Sequence, residues 1–284
     1  MKRILLTGST SFLGSKFIQL YENQFDILGI AKSDKNNPLD ILDFNGLKKL
    51  YASFHPDIII HTAALTDPDA DKIKTINIKG TQNIINIAKI HNTPLIFISS
   101  ESIYGGKEQT GNYVETDPYK PRSTYSETKV ESEIMIKASG LNYLIIRAHR
   151  FVGINKTYDK PKQFPDTLKA LLQNKQVNLD SHRLFKPCLI NHVSQVFVHY
   201  IGYDCDKQII INIGVDKATT YYDFIKDVAA ALDLNQELIK SDGEETAWPE
   251  NSTLSIEKMR ILGYPVLSYL QLLEILKQDW DRIS

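Results

Sequence analysis

Leu6-Thr7-Gly8-Ser9-Thr10-Ser11-Phe12-Leu13-Gly14 follows the apolar run Ile4-Leu5-Leu6 and opens a stretch, Phe12 to Tyr21, with apolar residues at helical spacing. In an open parallel sheet, a strand, a glycine turn and a helix in this order can seat a phosphate on the helix N-terminus. That cradle needs a tight turn, close backbone approach, and a small residue where helix meets strand. Gly8 suits the first requirement and Gly14 the last. The middle position is Ser11, whose small side chain ends in a hydroxyl able to donate to a phosphate oxygen. On these residues alone, a surface turn before an ordinary helix reads equally well.

The pattern beyond the loop repeats its first step. Ile27-Leu28-Gly29-Ile30, Ile58-Ile59-Ile60, Leu95-Ile96-Phe97-Ile98 and Tyr143-Leu144-Ile145-Ile146 are flat apolar runs without alternation. Such runs predict strands of a parallel sheet covered on both faces. Helical spacing lies between them, over Ile73 to Ile90 and over Ser123 to Ala138 after Pro121. The fold class expected is α/β, a Rossmann-like doubly wound parallel sheet with a smaller C-terminal substrate lobe. The boundaries read are 1–150 for the dinucleotide domain, with 192–215 returning to the sheet, and 151–191 plus 216–284 for the lobe. Helices are expected over Pro161 to Gln173, Val193 to Tyr200, Tyr222 to Leu232 and Leu267 to Trp280, and a strand over Gln208 to Ile213.

Composition sets bounds on the class. With 284 residues, 42% hydrophobic and 24% charged, the chain has enough apolar side chains for a sizeable core. A net charge of −1 gives no general attraction to nucleic acid or anionic membrane. Cys188 and Cys205 are too far apart for a metal motif, so no metal is expected. No apolar run reaches the roughly 18 residues of a membrane span, and no signal-peptide core precedes Thr7 and Gly8. The expectation is a cytoplasmic protein.

Two further stretches carry chemistry. Tyr125 and Lys129 stand four apart in Ser123-Thr124-Tyr125-Ser126-Glu127-Thr128-Lys129, on one helix face. An ammonium beside a phenol favours phenolate, which lets tyrosine exchange a proton near neutral pH. Ser100, in Ser99-Ser100-Glu101-Ser102, falls at the C-terminal end of the fourth strand, where open parallel sheets bind ligands. At the end of the second strand, Ala31 replaces the acid that would hold a free ribose 2′-hydroxyl, and Lys32 and Ser33 after it suit a phosphate. NADP is therefore expected over NAD, although Asp34 is near enough to swing in.

In this order the three motifs resemble the extended short-chain dehydrogenase/reductase superfamily: Thr-Gly-x-x-Gly-x-x-Gly, a strand-four Ser/Thr, and Tyr-x-x-x-Lys. His61-Thr62-Ala63-Ala64, Asn77 and the tail Leu254 to Gly263 extend the resemblance over nearly the whole chain. The length, Thr66-Asp67-Pro68-Asp69 and the tail are most similar to the dTDP-4-dehydrorhamnose reductase family. That resemblance implies Ser100 as the hydroxyl polarising a carbonyl, Tyr125 as acid/base, and Lys129 as its tuner and ribose ligand. It implies a cofactor held by Gly8, Ser11, Phe12, Leu13, Gly14, Lys32, Ser33, Asp40, Ile41, Ala63, Ala64, Tyr125 and Lys129. Thr66, Glu101, Ser102, His149, Arg150 and Trp248 would then face a nucleotide-linked 4-keto-6-deoxy sugar, in deoxysugar and polysaccharide biosynthesis. A homodimer is compatible with this reading; nucleic acid and membrane are not expected partners.

Three departures fall near the expected substrate. Arg150 stands where the family carries tryptophan in Arg-Thr-x-Trp, Trp248-Pro249 replaces an Arg-Pro pair, and the stretch from Asp69 to Asn77 is short. Sugar dehydratases of the superfamily place Asp-Glu after the hydroxyl residue; here Glu101 is followed by Ser102, which weighs against dehydration. Two alternatives stay open: an NAD-retaining epimerase of the same superfamily, and a catalytically silent nucleotide-binding regulatory subunit.

Overall fold

β1 (Arg3–Thr7) passes through the glycine loop into α1 (Phe12–Tyr21), and β2 (Asp26–Ile30), α2 (Phe44–Phe54) and β3 (Ile58–His61) follow. α3 (Ala70–Lys74) continues through one π turn, Thr75–Lys79, into α4 (Gly80–Lys89), then β4 (Leu95–Ser100), α5 (Thr124–Lys137) and β5 (Tyr143–Ala148). The remainder runs β6 (Phe151–Val152), α6 (Gln163–Leu172), β7 (Val177–Leu179), β8 (Cys188–Leu189), α7 (Ile190–His199) and β9 (Gln208–Ile213). It ends with α8 (Tyr221–Ala231), β10 (Ile239–Ser241), α9 (Glu257–Ile261) and α10 (Tyr269–Asp281). This is a computed structural model, and it describes residues 1–105, 111–243 and 251–282. Trp248 lies outside the described residues.

Six strands form one sheet in the order β2-β1-β3-β4-β5-β9, with every pairing parallel. β2 and β3 flank β1 on opposite sides, so the winding reverses between β1 and β3. A crevice opens at such a switch point, beyond the carboxyl ends of the strands. Side-chain alternation along the flat apolar runs explains why both faces are buried. Ile4 and Leu6 pack with Phe12 and Phe17 of α1 and Val193 and Phe197 of α7, whereas Leu5 packs with Tyr51 of α2 and Ile84 of α4.

A second core holds the smaller lobe together, from Phe164 and Leu168 of α6, Phe224 and Val228 of α8, and Leu272 and Leu276 of α10. Leu272 and Leu276 are fully buried, each contributing about 1.5–3 kcal/mol relative to exposure. The helix carrying them starts at a capping box, with Ser268 Oγ accepting from Gln271 N and Gln271 Oε1 accepting from Ser268 N. α10 is joined to α1 by a buried ion pair, Lys16 Nζ to Asp279 Oδ2 at 2.9 Å. Ile256, Met259 and Tyr264, around α9, pack into the sheet core beside α7. Among the described residues, no helix is long and apolar enough to cross a membrane.

Candidate active site

The glycine loop lies at the switch point. Gly8 has φ +74°, and a Cβ there would sit 2.8 Å from the backbone nitrogen of Ala63. A Cβ on Gly14 would stand 2.3 Å from the carbonyl oxygen of Gly8, so α1 can start this close to β1 only with glycine. Ser11 is the N-cap of α1: its Oγ accepts from Gly14 N at 3.0 Å and lies 3.3 Å from Thr62 Oγ1. The serine in the middle of the motif therefore caps the helix and ties the loop to the turn after β3. The amides of Phe12 and Leu13 are first-turn donors, without intrahelical acceptors, while their side chains are buried in the core.

A cavity of about 430 Å³ opens over this loop. Gly8, Ser11, Lys32, Ser33, Asp40, Ile41, Ala63 and Ala64 line it, as does Thr66, which the sequence had assigned to substrate. Lys32 Nζ pairs with Asp40 Oδ2 at 3.2 Å on the surface. Asn77, in the π turn, fixes the cavity wall to the helix beyond. Its Oδ1 accepts from Leu65 N at 2.8 Å, and its Nδ2 donates to Leu65 O at 3.0 Å and Thr128 Oγ1 at 3.2 Å. Below the turn, buried His61 bridges β1 and α4, with Nδ1 at 2.6 Å from Thr7 Oγ1 and Nε2 at 3.0 Å from Thr81 Oγ1.

Burial, with the nearby Lys129 charge adding, pushes the His61 imidazole down to about 3. The unfolded chain takes up this proton near pH 6.5 and the native chain does not. Stability is thus expected to fall as pH drops through 6.5 toward 3, by up to about 1.4 kcal/mol per pH unit from this group. In urea titrations from about pH 7 to about pH 5, His61→Asn should show a shallower loss than the parent. Equal slopes would count against the imidazole as the source.

A second cavity, of about 350 Å³, lies beyond β4 and β5. Ser100, Glu101, Tyr125, His149, Arg150, Lys162, Arg183 and Tyr221 are among its lining. Tyr125 enters it because α5 starts at a reciprocal cap: Ser123 Oγ accepts from Ser126 N, and Ser126 Oγ accepts from Ser123 N. That start places Tyr125 in the first turn and Lys129 one turn on. Ser100 Oγ donates to Glu101 Oε2 at 2.7 Å and accepts from Ser102 Oγ at 2.9 Å. Ser102 thus supports Ser100 and does not line the cavity. His149 Nε2 donates to Ser252 O at 2.8 Å, and its Nδ1 faces Glu101 Oε1 at 3.7 Å.

The electrostatics differ from the expectation that Lys129 lowers the phenol. Burial raises the Tyr125 pKa above its ordinary value, and the Glu101 carboxylate raises it further. Lys129 is itself brought down to about 8 by burial, against the pull of Glu133, and its Nζ donates to Ile98 O at 2.8 Å. The ammonium lies 5.6 Å from the Tyr125 ring centroid and 4.7 Å from that of Phe97, so it faces both rings.

Several lining residues were not singled out from the sequence. Lys162 and Arg183 join Arg150 around the second cavity, and Thr10 and Lys160 join the first. Arg150 sits over Tyr221, its guanidinium carbon 4.3 Å from the ring centroid, and its Nη1 is buried without a hydrogen-bond partner. Arg183 is paired with Asp180. Arg150 carried a sequence signal as a departure from pattern; Lys160 and Lys162 lie in an ordinary basic segment.

A doubly wound sheet with its glycine cradle at the switch point, and with a serine and a tyrosine lining one cavity beyond β4, places the chain among the extended short-chain dehydrogenase/reductases. Within that class it belongs to the RmlD substrate binding domain family, which matches residues 1–276. A dTDP-4-dehydrorhamnose reductase of Aggregatibacter actinomycetemcomitans is 23% identical over 99% of this chain and 97% of its own. The methionine adenosyltransferase 2 subunit beta of Bos taurus is 25% identical over 69% of this chain and 60% of its own. In structure, the chain is similar to a dTDP-4-dehydrorhamnose reductase from Bacillus anthracis solved in complex with NADP, with TM-score 0.83, 19% identity and 99% of both chains covered.

Proposed function

We propose that the chain is an NADP-dependent reductase of a nucleotide-linked 4-keto-6-deoxy sugar. The observation that carries this reading is the second cavity, where Ser100 and Tyr125 share a wall with the cationic side chains of Arg150 and Lys162. The close packing that Gly8 and Gly14 allow brings the α1 N-terminus to the edge of the first cavity, which fits a dinucleotide pyrophosphate there. When bound, NADPH supplies hydride to the carbonyl carbon. The side chains must polarise the carbonyl, deliver a proton and hold the substrate.

Ser100 takes the first task by turning its hydroxyl from Glu101 to the carbonyl oxygen. Tyr125 gives its proton to that oxygen as negative charge develops there. The phenol is protonated at neutral pH, as a donor must be when the substrate arrives. Arg150 supports a phosphate-bearing substrate, since its unpartnered guanidinium nitrogen is costly to bury without an anion. The Tyr221 ring beneath it holds the guanidinium in place.

The test is NADPH oxidation followed against a panel of nucleotide-linked 4-keto and 4-hydroxy sugars. Oxidation is expected with a 4-keto-6-deoxy member and not with its 4-hydroxy counterpart. A second reading, a nucleotide-binding regulatory subunit, draws on the match to the methionine adenosyltransferase subunit. Tight dinucleotide binding with no oxidation across the panel would favour it over the reductase.

A further inference from the structure

We infer that Lys160, reaching across from the segment between β6 and α6, is the cation of a 2′-phosphate site on the dinucleotide cavity. The inference rests on reading that cavity as the cofactor site. Lys160 Nζ donates to Thr10 Oγ1 at 3.1 Å and to Ser33 Oγ at 3.0 Å, and those two hydroxyls are 2.9 Å apart. Three separate parts of the chain thus meet at one point: the glycine loop, the turn after β2, and the approach to the smaller lobe. All three side chains line the cavity, together with Lys32.

The composition of this cluster is informative. Among the described residues, Lys160 has two neutral hydroxyls for partners and no carboxylate. An ammonium and two hydroxyls offer donors to a dianion, whereas a free ribose 2′-hydroxyl is held best by a carboxylate. The nearby acid that would serve the hydroxyl is engaged elsewhere. Asp34 Oδ2 accepts from Ser9 Oγ at 2.5 Å, and its Oδ1 accepts from the amides of Asn36 and Asn37 at 2.9 and 3.2 Å. Asp34 is therefore spent on shaping its own turn and does not line the cavity. The end of the second strand is where a doubly wound sheet meets the ribose of the adenosine half.

Lys160 also stands on an anchored segment. Asn155 Nδ2 donates to Phe12 O and to Ser15 Oγ, both at 2.9 Å, and the Tyr158 ring meets that of Phe12 edge-on at 5.2 Å. These contacts fasten the segment to the start of α1, so the ammonium is aimed before any ligand arrives. Lys32, exposed and paired with Asp40, adds charge at the rim. It lies beside Ser33 in sequence, whereas Lys160 comes from 127 residues away.

The test is calorimetric binding of NADPH, NADH, adenosine 2′,5′-bisphosphate and ADP to the parent, Lys160→Ala and Lys160→Arg. Lys160 is exposed, so both variants should fold as the parent does. Lys160→Ala is expected to weaken NADPH and adenosine 2′,5′-bisphosphate about tenfold, leave NADH and ADP unchanged, and lose part of the salt dependence of binding. Lys160→Arg should keep most of the preference. Unchanged binding of the 2′-phosphorylated ligands, or equal weakening of NADH, would overturn the inference and leave the cofactor reading standing. A parent that binds neither dinucleotide would remove both.

Discussion

Tyr125→Phe is expected to lower turnover of a confirmed keto-sugar substrate by about 100- to 10,000-fold, the usual loss for a positioned general acid. The substitution deletes one oxygen and keeps the ring, which stands beside the Lys129 ammonium on the first turn of α5. The fold and the cradle at Gly8 and Gly14 do not depend on that oxygen, so NADPH affinity should stay at the parent value. What is lost is the proton for the carbonyl oxygen. Water is a poor substitute, being neither positioned nor as acidic as a phenol. The Ser100 hydroxyl remains beside the carbonyl and should leave residual activity above the uncatalysed rate. Single-turnover NADPH oxidation separates the chemical step from binding. Near-parent turnover in Tyr125→Phe would remove the tyrosine from the reaction and with it the mechanism proposed.

The contrast between the Tyr125-Lys129 spacing and its electrostatics shows what the sequence carries and what it does not. Four residues on a helix set two side chains on one face whatever the tertiary fold. The direction of a pKa shift depends on burial and on charges from other elements, here Glu101 beyond β4. The strands were legible for a similar reason: Ile58-Ile59-Ile60 must be covered on both sides, and only a layered parallel sheet does so. α2 was not read because Leu47 and Tyr51 are its only buried residues, too few for a clear period, although Asp43 stood ready as N-cap. β6 and β8 have two residues each, below any periodicity. The lysine at position 160 had no local signal at all. Its partners Thr10 and Ser33 become neighbours only when the segment after β6 folds back over the glycine loop.

Arg147→Met is expected to cost about 3–5 kcal/mol of stability, the range for removing one partner of a buried ion pair. Arg147 lies at the end of β5 with 1% of its surface exposed, and Glu133, on α5, is fully buried. The pair is bidentate, with Nε to Oε1 at 3.0 Å and Nη2 to Oε2 at 2.7 Å. The remaining guanidinium hydrogens go to Tyr104 OH, Glu115 O at 2.8 Å and Tyr119 OH at 3.2 Å, so all five donors are used. Methionine fills much of the same space and leaves the Glu133 carboxylate buried with Tyr119 OH as its remaining donor among the described residues. Since Glu133 stands one turn beyond Lys129, loosening it should also disturb the register of the helix that aims Tyr125. The pair earns its place by fixing that helix, because an apolar pair of similar volume often does as well for stability alone. Arg147→Met combined with Glu133→Leu should therefore regain a large part of the lost stability in urea titrations while turnover stays low. A single variant costing under about 1 kcal/mol would show that the carboxylate finds water or another donor, and α5 would then be held by its apolar contacts.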